Sequence, residues 1–220
     1  MTEKQYIYIA YMEPMSISTV ADTLKTYGAA LSSAAADKIR AYIAILLRWN
    51  QTISLTTVTN PTEILKFHFG ESIFAVSEVN FEKSRLADVG SGAGFPGLPL
   101  AIVVPSLEVT LIESNTKKCA FLSEVARELR LENVSVFRGR MEGFRLESEK
   151  LDFVSARALG HHAKLLEWTG TQLASSGKIV LWVGESDSRR ISLDPRWRWD
   201  AAKRIPGAER RFLLIGAPCD

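Results

Sequence analysis

The apolar run Leu86-Ala87-Asp88-Val89 breaks into Gly90-Ser91-Gly92-Ala93-Gly94-Phe95-Pro96-Gly97, and a helical pattern follows from about Leu98 to Val103. This glycine-rich joint constrains the fold more than any other stretch of the chain. Glycine lets the backbone turn sharply and approach a ligand without a Cβ clash. The helix start beside it presents N–H groups that have no partner within the helix. A parallel α/β sheet builds a pocket for a nucleotide-like ligand in this way. A plain strand-to-helix turn needs neither three alternating glycines nor acids at the strand ends.

Three local details narrow the ligand. Asp88 stands two residues before Gly90, where a dinucleotide-binding strand normally carries no acid. A carboxylate there suits a cation, met directly or through water. Glu113 ends the next apolar run, Val109-Thr110-Leu111-Ile112, about twenty residues past the glycines, where an acid accepts hydrogen bonds from ribose hydroxyls. Phe95-Pro96 fills the place where a diphosphate needs open backbone. Gly92-x-Gly94-x-x-Gly97 fits the dinucleotide pattern, but that match alone is weak. Together these features point to S-adenosylmethionine, which carries an amino group and a sulfonium but no phosphate.

The 220 residues suffice for one domain with an appendage. No apolar run approaches the length of a membrane span. Met1–Pro14 lacks a basic leader and a small-residue cleavage site, so it is a poor signal peptide. Cys119 and Cys219 lie far apart without metal-ligand spacing, which favours a reducing, cytoplasmic setting and no metal. The net charge of +2 does not announce a nucleic-acid partner. The distribution is more informative, because basic residues crowd the middle (Lys117 to Arg140) and the C-terminal part (Arg189 to Arg211).

Amphipathic helices are expected over Ser18–Tyr27 and Ser33–Asn50, and a third from Asn60-Pro61 to about Val79. From Arg85 strands alternate with helices: strands at 86–89, 109–113, 134–137, 152–155 and 178–183, helices at 98–103, 115–131 and 162–174. A hairpin of 197–203 and 210–215 ends the chain. The expectation is an α/β class I methyltransferase Rossmann-like fold. It has a mostly parallel seven-stranded sheet, helices on both faces, an antiparallel C-terminal hairpin and an N-terminal helical cap. The expected division is an extension and cap over 1–80 and the cofactor-binding unit over 81–220.

Several segments together resemble the bacterial small-subunit ribosomal RNA methyltransferase G family, also called glucose-inhibited division protein B. They are Trp49-Asn50 with Ser54-Leu55-Thr56, His68 with Ser72, the whole segment Asp88 to Gly97, Leu111-Ile112-Glu113-Ser114, Lys117-Lys118, Leu131-Glu132-Asn133-Val134, Arg140-Met141-Glu142 and Arg157-Ala158. The Phe-Pro-Gly inside the glycine segment is more specific than the general methyltransferase motif. The resemblance implies methyl transfer from S-adenosylmethionine to N7 of a guanine in 16S ribosomal RNA, free or in the 30S subunit; with no dimerisation stripe in the sequence, the expectation is a monomer, in the cytoplasm that the cysteines favour. The resemblance also implies that Gly90 and Phe95 line the cofactor site, joining Asp88, Gly92 and Glu113, which the glycine joint and strand ends already point to. Met141 and Glu142 match positions flanking the adenine, and Arg157 matches a binding arginine. Two departures stand out. Phe67 precedes His68 where the family has Arg, and Val183 precedes Gly184 where it has Lys. Arg189 and Arg190 are candidate substitutes for holding RNA.

The absences agree with N7 chemistry. Ser155-Ala156-Arg157-Ala158 lacks the Asn/Asp-Pro-Pro-aromatic pattern of amino methyltransferases. Pyrimidine C5 chemistry needs a cysteine nucleophile, whereas Cys119 reads as core and Cys219 as a chain end. N7 carries an exposed lone pair and loses no proton. Arg157 is open to two readings: a donor to guanine O6 or to the cofactor carboxylate, and so the candidate catalytic group, or a salt bridge to a residue such as Asp152. His68 is a packed histidine or an RNA contact. His161 and His162 open a helix, and Trp182, Trp197 and Trp199 read as packed. Three other functions stay open: a methyltransferase acting on a small molecule or protein, a nicotinamide oxidoreductase, and a non-enzymatic RNA-binding module.

Overall fold

The computed structural model describes residues 15–146, 149–158 and 160–219; the expectations for Met1–Pro14 fall outside them. Three helices of the N-terminal part begin where the sequence supplies an oxygen for the free N–H groups of the first turn. Ser16 Oγ accepts from Thr19 N at 3.0 Å to open α1 (Ile17–Lys25). Ser32 Oγ accepts from Ala35 N at 3.1 Å to open α2 (Ser33–Asn50). Asn60 Oδ1 accepts from Thr62 N at 2.9 Å and Glu63 N at 3.1 Å to open α3 (Pro61–Ile64). Each such cap contributes about 1 kcal/mol.

The helix expected to run unbroken to Val79 does not. After α3 the chain widens into a π-helical turn over Leu65–Gly70, returns to α4 (Glu71–Ile73) and tightens into a 3₁₀ turn over Phe74–Ser77. The physical cause lies across the sheet: Arg157 donates to the carbonyl of Phe67 at 2.8 Å, taking an acceptor from the helical ladder.

The sheet holds β1 (Arg85–Val89), β2 (Glu108–Glu113), β3 (Val134–Arg138), β4 (Leu151–Arg157), β5 (Leu173–Gly184), β6 (Trp197–Trp199), β7 (Lys203–Arg204) and β8 (Arg211–Pro218). Its order is β3-β2-β1-β4-β5-β8-β6, with β7 also on β8. The first five strands are parallel and β8 runs antiparallel to β5. The sheet has eight strands rather than the expected seven. The run read as one strand over 197–203 splits, since Trp197 pairs Pro218 while Lys203 pairs Leu213.

Helices α5 (Gly97–Val103), α6 (Thr116–Glu128), α7 (His162–Gln172) and α8 (Glu185–Ile191) connect the strands; α8 was not expected. One apolar cluster joins Ile39, Tyr42, Ile64 and Phe69 of the cap to Leu98, Leu111 and Phe121 of the sheet unit. A second, containing Ile112, Val154, Leu165 and Leu214, fills the other face. The cap therefore shares a core with the sheet rather than sitting on it. Strand order reverses between β1 and β4, and ligands of such sheets bind at the carboxyl ends beside that point.

Candidate functional site

The glycine turn is pinned at both ends. Gly90 N and Ser91 N donate to the Ile112 carbonyl at 2.8 and 3.2 Å, tying the turn to β2. Gly94 has φ +85°, and a Cβ there would collide with Tyr42 Oη. The Tyr42 hydroxyl itself donates to the Ala93 carbonyl. Its ring stacks on Phe95 at 5.4 Å, and the His68 ring lies 4.9 Å from the other partner of that stack, Phe95. The cap thus clamps the turn through Tyr42, which the sequence reading did not single out. The residue was legible only as one of several apolar positions on α2.

Asp88 is 1% exposed. Its Oδ1 accepts from Ser155 Oγ at 2.8 Å and its Oδ2 from Gly97 N at 3.2 Å. Burial pushes its pKa up to about 6, against the pull of its hydrogen bonds to Ser155, Ser91 and Gly97. The first N–H of α5, where a diphosphate would seek a donor, is already taken by this carboxylate. Glu113 accepts from Gly92 N at 2.9 Å and Asn115 N at 2.7 Å, one bond to each oxygen. Every carboxylate oxygen can accept twice, so Glu113 retains capacity for a ligand.

A cleft of about 320 Å³ opens beyond the ends of β1, β2 and β3. Gly90, Glu113, Met141 and Glu142 line it, with Arg140 and Lys164 at its rim. Asp88, Gly92 and Phe95 belong to the turn beside this cleft rather than to its wall.

A second cleft, of about 470 Å³, lies beyond β4 and β5. Arg157 lines this one, not the first. Its partner is Glu71 Oε2 at 2.9 Å, not Asp152, which instead accepts from Arg85 N at 2.8 Å. Glu71 lies 140 residues from its second partner, Arg211, whose Nη1 meets both carboxylate oxygens at 2.7 Å. Trp182, buried as expected, donates from Nε1 to the Glu71 carbonyl at 2.6 Å. His68 Nε2 lies 2.7 Å from Thr56 Oγ1, and its Nδ1 is buried without a partner among the described residues. Burial, then the charges of Arg157 and Arg211, lower its pKa to about 4, so the ring is neutral at neutral pH. Phe67 and Val183 form apolar wall.

Arg189 and Arg190 stand on α8 and line neither cleft. They pair with Glu185 and Asp187, each at 2.6 Å. Cys119 is buried, its thiol donating to the Glu113 carbonyl at 3.2 Å. A larger hollow of about 510 Å³ sits at the seam of cap and sheet, around Ala29 and Phe81, and its titratable lining is Glu78 and Glu82 alone. Among the described residues no group of His, Cys, Asp and Glu converges for a metal, and no helix is long and apolar enough to cross a membrane.

A glycine turn roofing a buried acid, a second acid ending the neighbouring strand, and this strand order define a class I S-adenosylmethionine-dependent methyltransferase. Solved structures share the fold. A SAM dependent methyltransferase from Aquifex aeolicus superposes with TM-score 0.59 at 17% identity, covering 70% of this chain and 92% of that one. The glycopeptide N-methyltransferase MtfA complexed with S-adenosyl-L-methionine gives 0.58 at 12% identity, covering 70% and 88%. The chain belongs to the rRNA small subunit methyltransferase G family, whose family model matches residues 35–199. A ribosomal RNA small subunit methyltransferase G of Streptococcus pyogenes serotype M12 is 39% identical over 206 residues, which is 88% of this chain and 87% of that one. Its counterpart in Xylella fastidiosa strain M23 is 39% identical over 180 residues, or 80% and 84%.

Proposed function

We propose that this chain methylates N7 of a guanine in 16S ribosomal RNA, in the cytoplasm and as a monomer. The observation that carries the reading is the pair of clefts on either side of the β1/β4 switch point. One carries Glu113 at the end of β2 and Glu142 beside Met141, opposite Arg140 and Lys164, and fits a nucleoside; the other is cationic with apolar walls and fits a nucleotide. Bound in the first cleft, S-adenosylmethionine supplies a methyl group on a cationic sulfur. Glu113 accepts from the ribose hydroxyls, and Met141 and Glu142 flank the adenine. Asp88 holds the turn through Gly97 and, as a buried anion, favours positive charge nearby.

The second cleft offers no strong base. His68 is neutral, and Arg157 and Arg211 are cations held by Glu71. Guanine N7 needs no base, since its lone pair lies exposed at the purine edge. The protein's contribution is then alignment, and fixing two reactants removes about 7–11 kcal/mol of barrier. Arg157 Nη1, whose contact with the His68 carbonyl is a long 3.5 Å, is the donor left for guanine O6 or the cofactor carboxylate. The monomer reading rests on the surface: among the described residues Leu193 is the one large hydrophobic side chain that is exposed.

The test is to map N7-methylguanine in 16S RNA from cells with and without the gene, and to repeat the methylation in vitro on free 16S RNA and on 30S particles lacking the mark. The mark should vanish with the gene and return with the purified enzyme. A mark that persists belongs to another enzyme and overturns the reading. Methylation of a protein or small molecule with no mark on RNA would move this chain to another acceptor.

A further inference from the structure

The second cleft carries a charge imbalance that its buried ion pair does not cancel. Among the described residues Glu71, 2% exposed, is the only acid lining it, and three arginines line it as well: Arg157, Arg210 and Arg211. Arg157 and Arg211 share the one carboxylate. Arg210 is exposed and has no ion pair among the described residues. Arg211 is 52% exposed in its side chain and donates to protein acceptors from Nη1 alone, leaving Nη2 and Nε for another acceptor. The other walls, Phe67, Val58 and Val183, are apolar and add no charge.

This arrangement separates two tasks. Arg157 is buried and fully committed at Nη2, to Glu71 and to the Phe67 carbonyl, so it builds the floor. Arg211 is anchored at one nitrogen by a buried acid. That anchor holds one end of the guanidinium at the rim and lowers the entropy it loses on gripping a ligand. The residue beside it in sequence adds a second, free cation at the same rim. Pre-oriented guanidinium groups over a nucleotide-sized cleft match a phosphate diester, whose oxygens accept charge-assisted hydrogen bonds.

We propose that Arg210 and Arg211, at the entry to β8, are the positioning residues that hold a backbone phosphate of the RNA beside the target base. The inference rests on the RNA reading of the second cleft. It assigns RNA contact to the hairpin end of the sheet, where the walls Phe67 and Val183 supply none.

The test measures binding of 16S RNA and of unmethylated 30S particles as a function of salt, using wild-type protein, Arg210→Gln, Arg211→Gln and the double variant. Each phosphate contact contributes about 0.7–0.9 to the slope of log K against log salt. The double variant is expected to bind RNA at least tenfold more weakly, with a slope smaller by about one to two, at unchanged affinity for S-adenosylhomocysteine. In turnover KM for RNA rises, while KM for the methyl donor stays put. Arg210→Gln breaks no ion pair or side-chain hydrogen bond among the described residues, so it decides the matter if Arg211→Gln lowers the melting temperature. RNA affinity and salt slope unchanged in Arg210→Gln and in the double variant overturn the proposal. A wild-type protein that neither binds nor methylates RNA overturns the reading beneath it instead, so the two failures are distinct.

Discussion

The two clefts differ in how far along the chain their parts lie. The first draws on Asp88 to Gly97, Glu113 with Asn115, and Met141 with Glu142, each acting within its own segment or on the adjacent strand. Asp88 reaches Gly97 nine residues on, and Glu113 reaches back to Gly92 across twenty-one. The second assembles residues from the cap, β4, β5 and the start of β8, with Arg157 reaching Glu71 across 86 residues and Arg211 across 140. The first cleft is a motif; the second is a product of the tertiary fold. The same split appears in the electrostatics. Glu113 in the first cleft and Asp88 beside it are satisfied mainly by backbone N–H groups and one hydroxyl. The acid of the second is satisfied by two guanidinium groups and is the joint between cap and sheet.

The sharpest way to break this contrast is to remove that joint. Glu71→Ala leaves Arg157 as a buried charge without its partner, which costs about 3–5 kcal/mol. Chemical denaturation should show the loss directly, with Glu71→Gln retaining part of the stability. A loss under 1 kcal/mol would mean that the cap is not held by this ion cluster, and that the second cleft is not built as described. Because cap and sheet share one apolar cluster, the loss should appear as a single cooperative transition.

The corresponding cut in the first cleft is Glu113→Ala. It strips an acceptor from Gly92 N and Asn115 N and removes the acid offered to the ribose. Hydrogen bonds to a charged group contribute about 1.5–3 kcal/mol each. Affinity for S-adenosylhomocysteine by calorimetry should therefore fall about a hundredfold, while RNA binding holds. Equal losses in both ligands would show that the clefts are not independent.

These cuts also mark what the sequence made visible. The strand-turn-helix joint, the helix over Ser33–Asn50 and the Asn60-Pro61 start of α3 are local signals, and the structure carries all three. Parallel order through β5 followed from alternating periodicity. The π turn at Leu65–Gly70 was invisible, because its cause is a guanidinium 90 residues away from the carbonyl it takes. The split of the last hairpin depended on which half of β8 each piece meets, which periodicity does not encode. Arg157 was recognisable as a strand-end arginine, but its partner was not. Glu71 looks like an ordinary helix acid until the sheet is placed over it.

A smaller effect comes from the acid buried under the glycine turn. Asp88 has a native pKa of about 6 against an ordinary 3.8. The native state therefore keeps a proton that the unfolded chain has already released between those values, and stability from this group falls as pH rises through that window. The difference amounts to about 3 kcal/mol at most. Binding of a cation demands the ionised form, so affinity for S-adenosylmethionine should drop by up to about tenfold per pH unit below pH 6. Asp88→Asn should flatten both profiles, since its amide oxygen still accepts from Gly97 N and its NH2 can donate to Ser155 Oγ. A profile that keeps its slope in Asp88→Asn would assign the titration to another group.

The smallest expected change tests the edge of the second cleft. Arg189 and Arg190 satisfy the sequence argument for an RNA contact as well as Arg210 does: they are basic and follow the fifth strand. The structure distinguishes them. Both are spent on α8's own acids, Glu185 and Asp187, so the helix carries little net charge there. Exposed pairs of this kind are worth about 0–1 kcal/mol to stability. The double change Arg189→Ala with Arg190→Ala should lower RNA affinity by no more than about twofold and leave the salt slope nearly unchanged. Should that double variant lose as much slope as Arg210→Gln, the RNA path would cross α8 rather than the hairpin. The second cleft would then be one end of a broader basic track, and its anchored Arg211 would lose its special place.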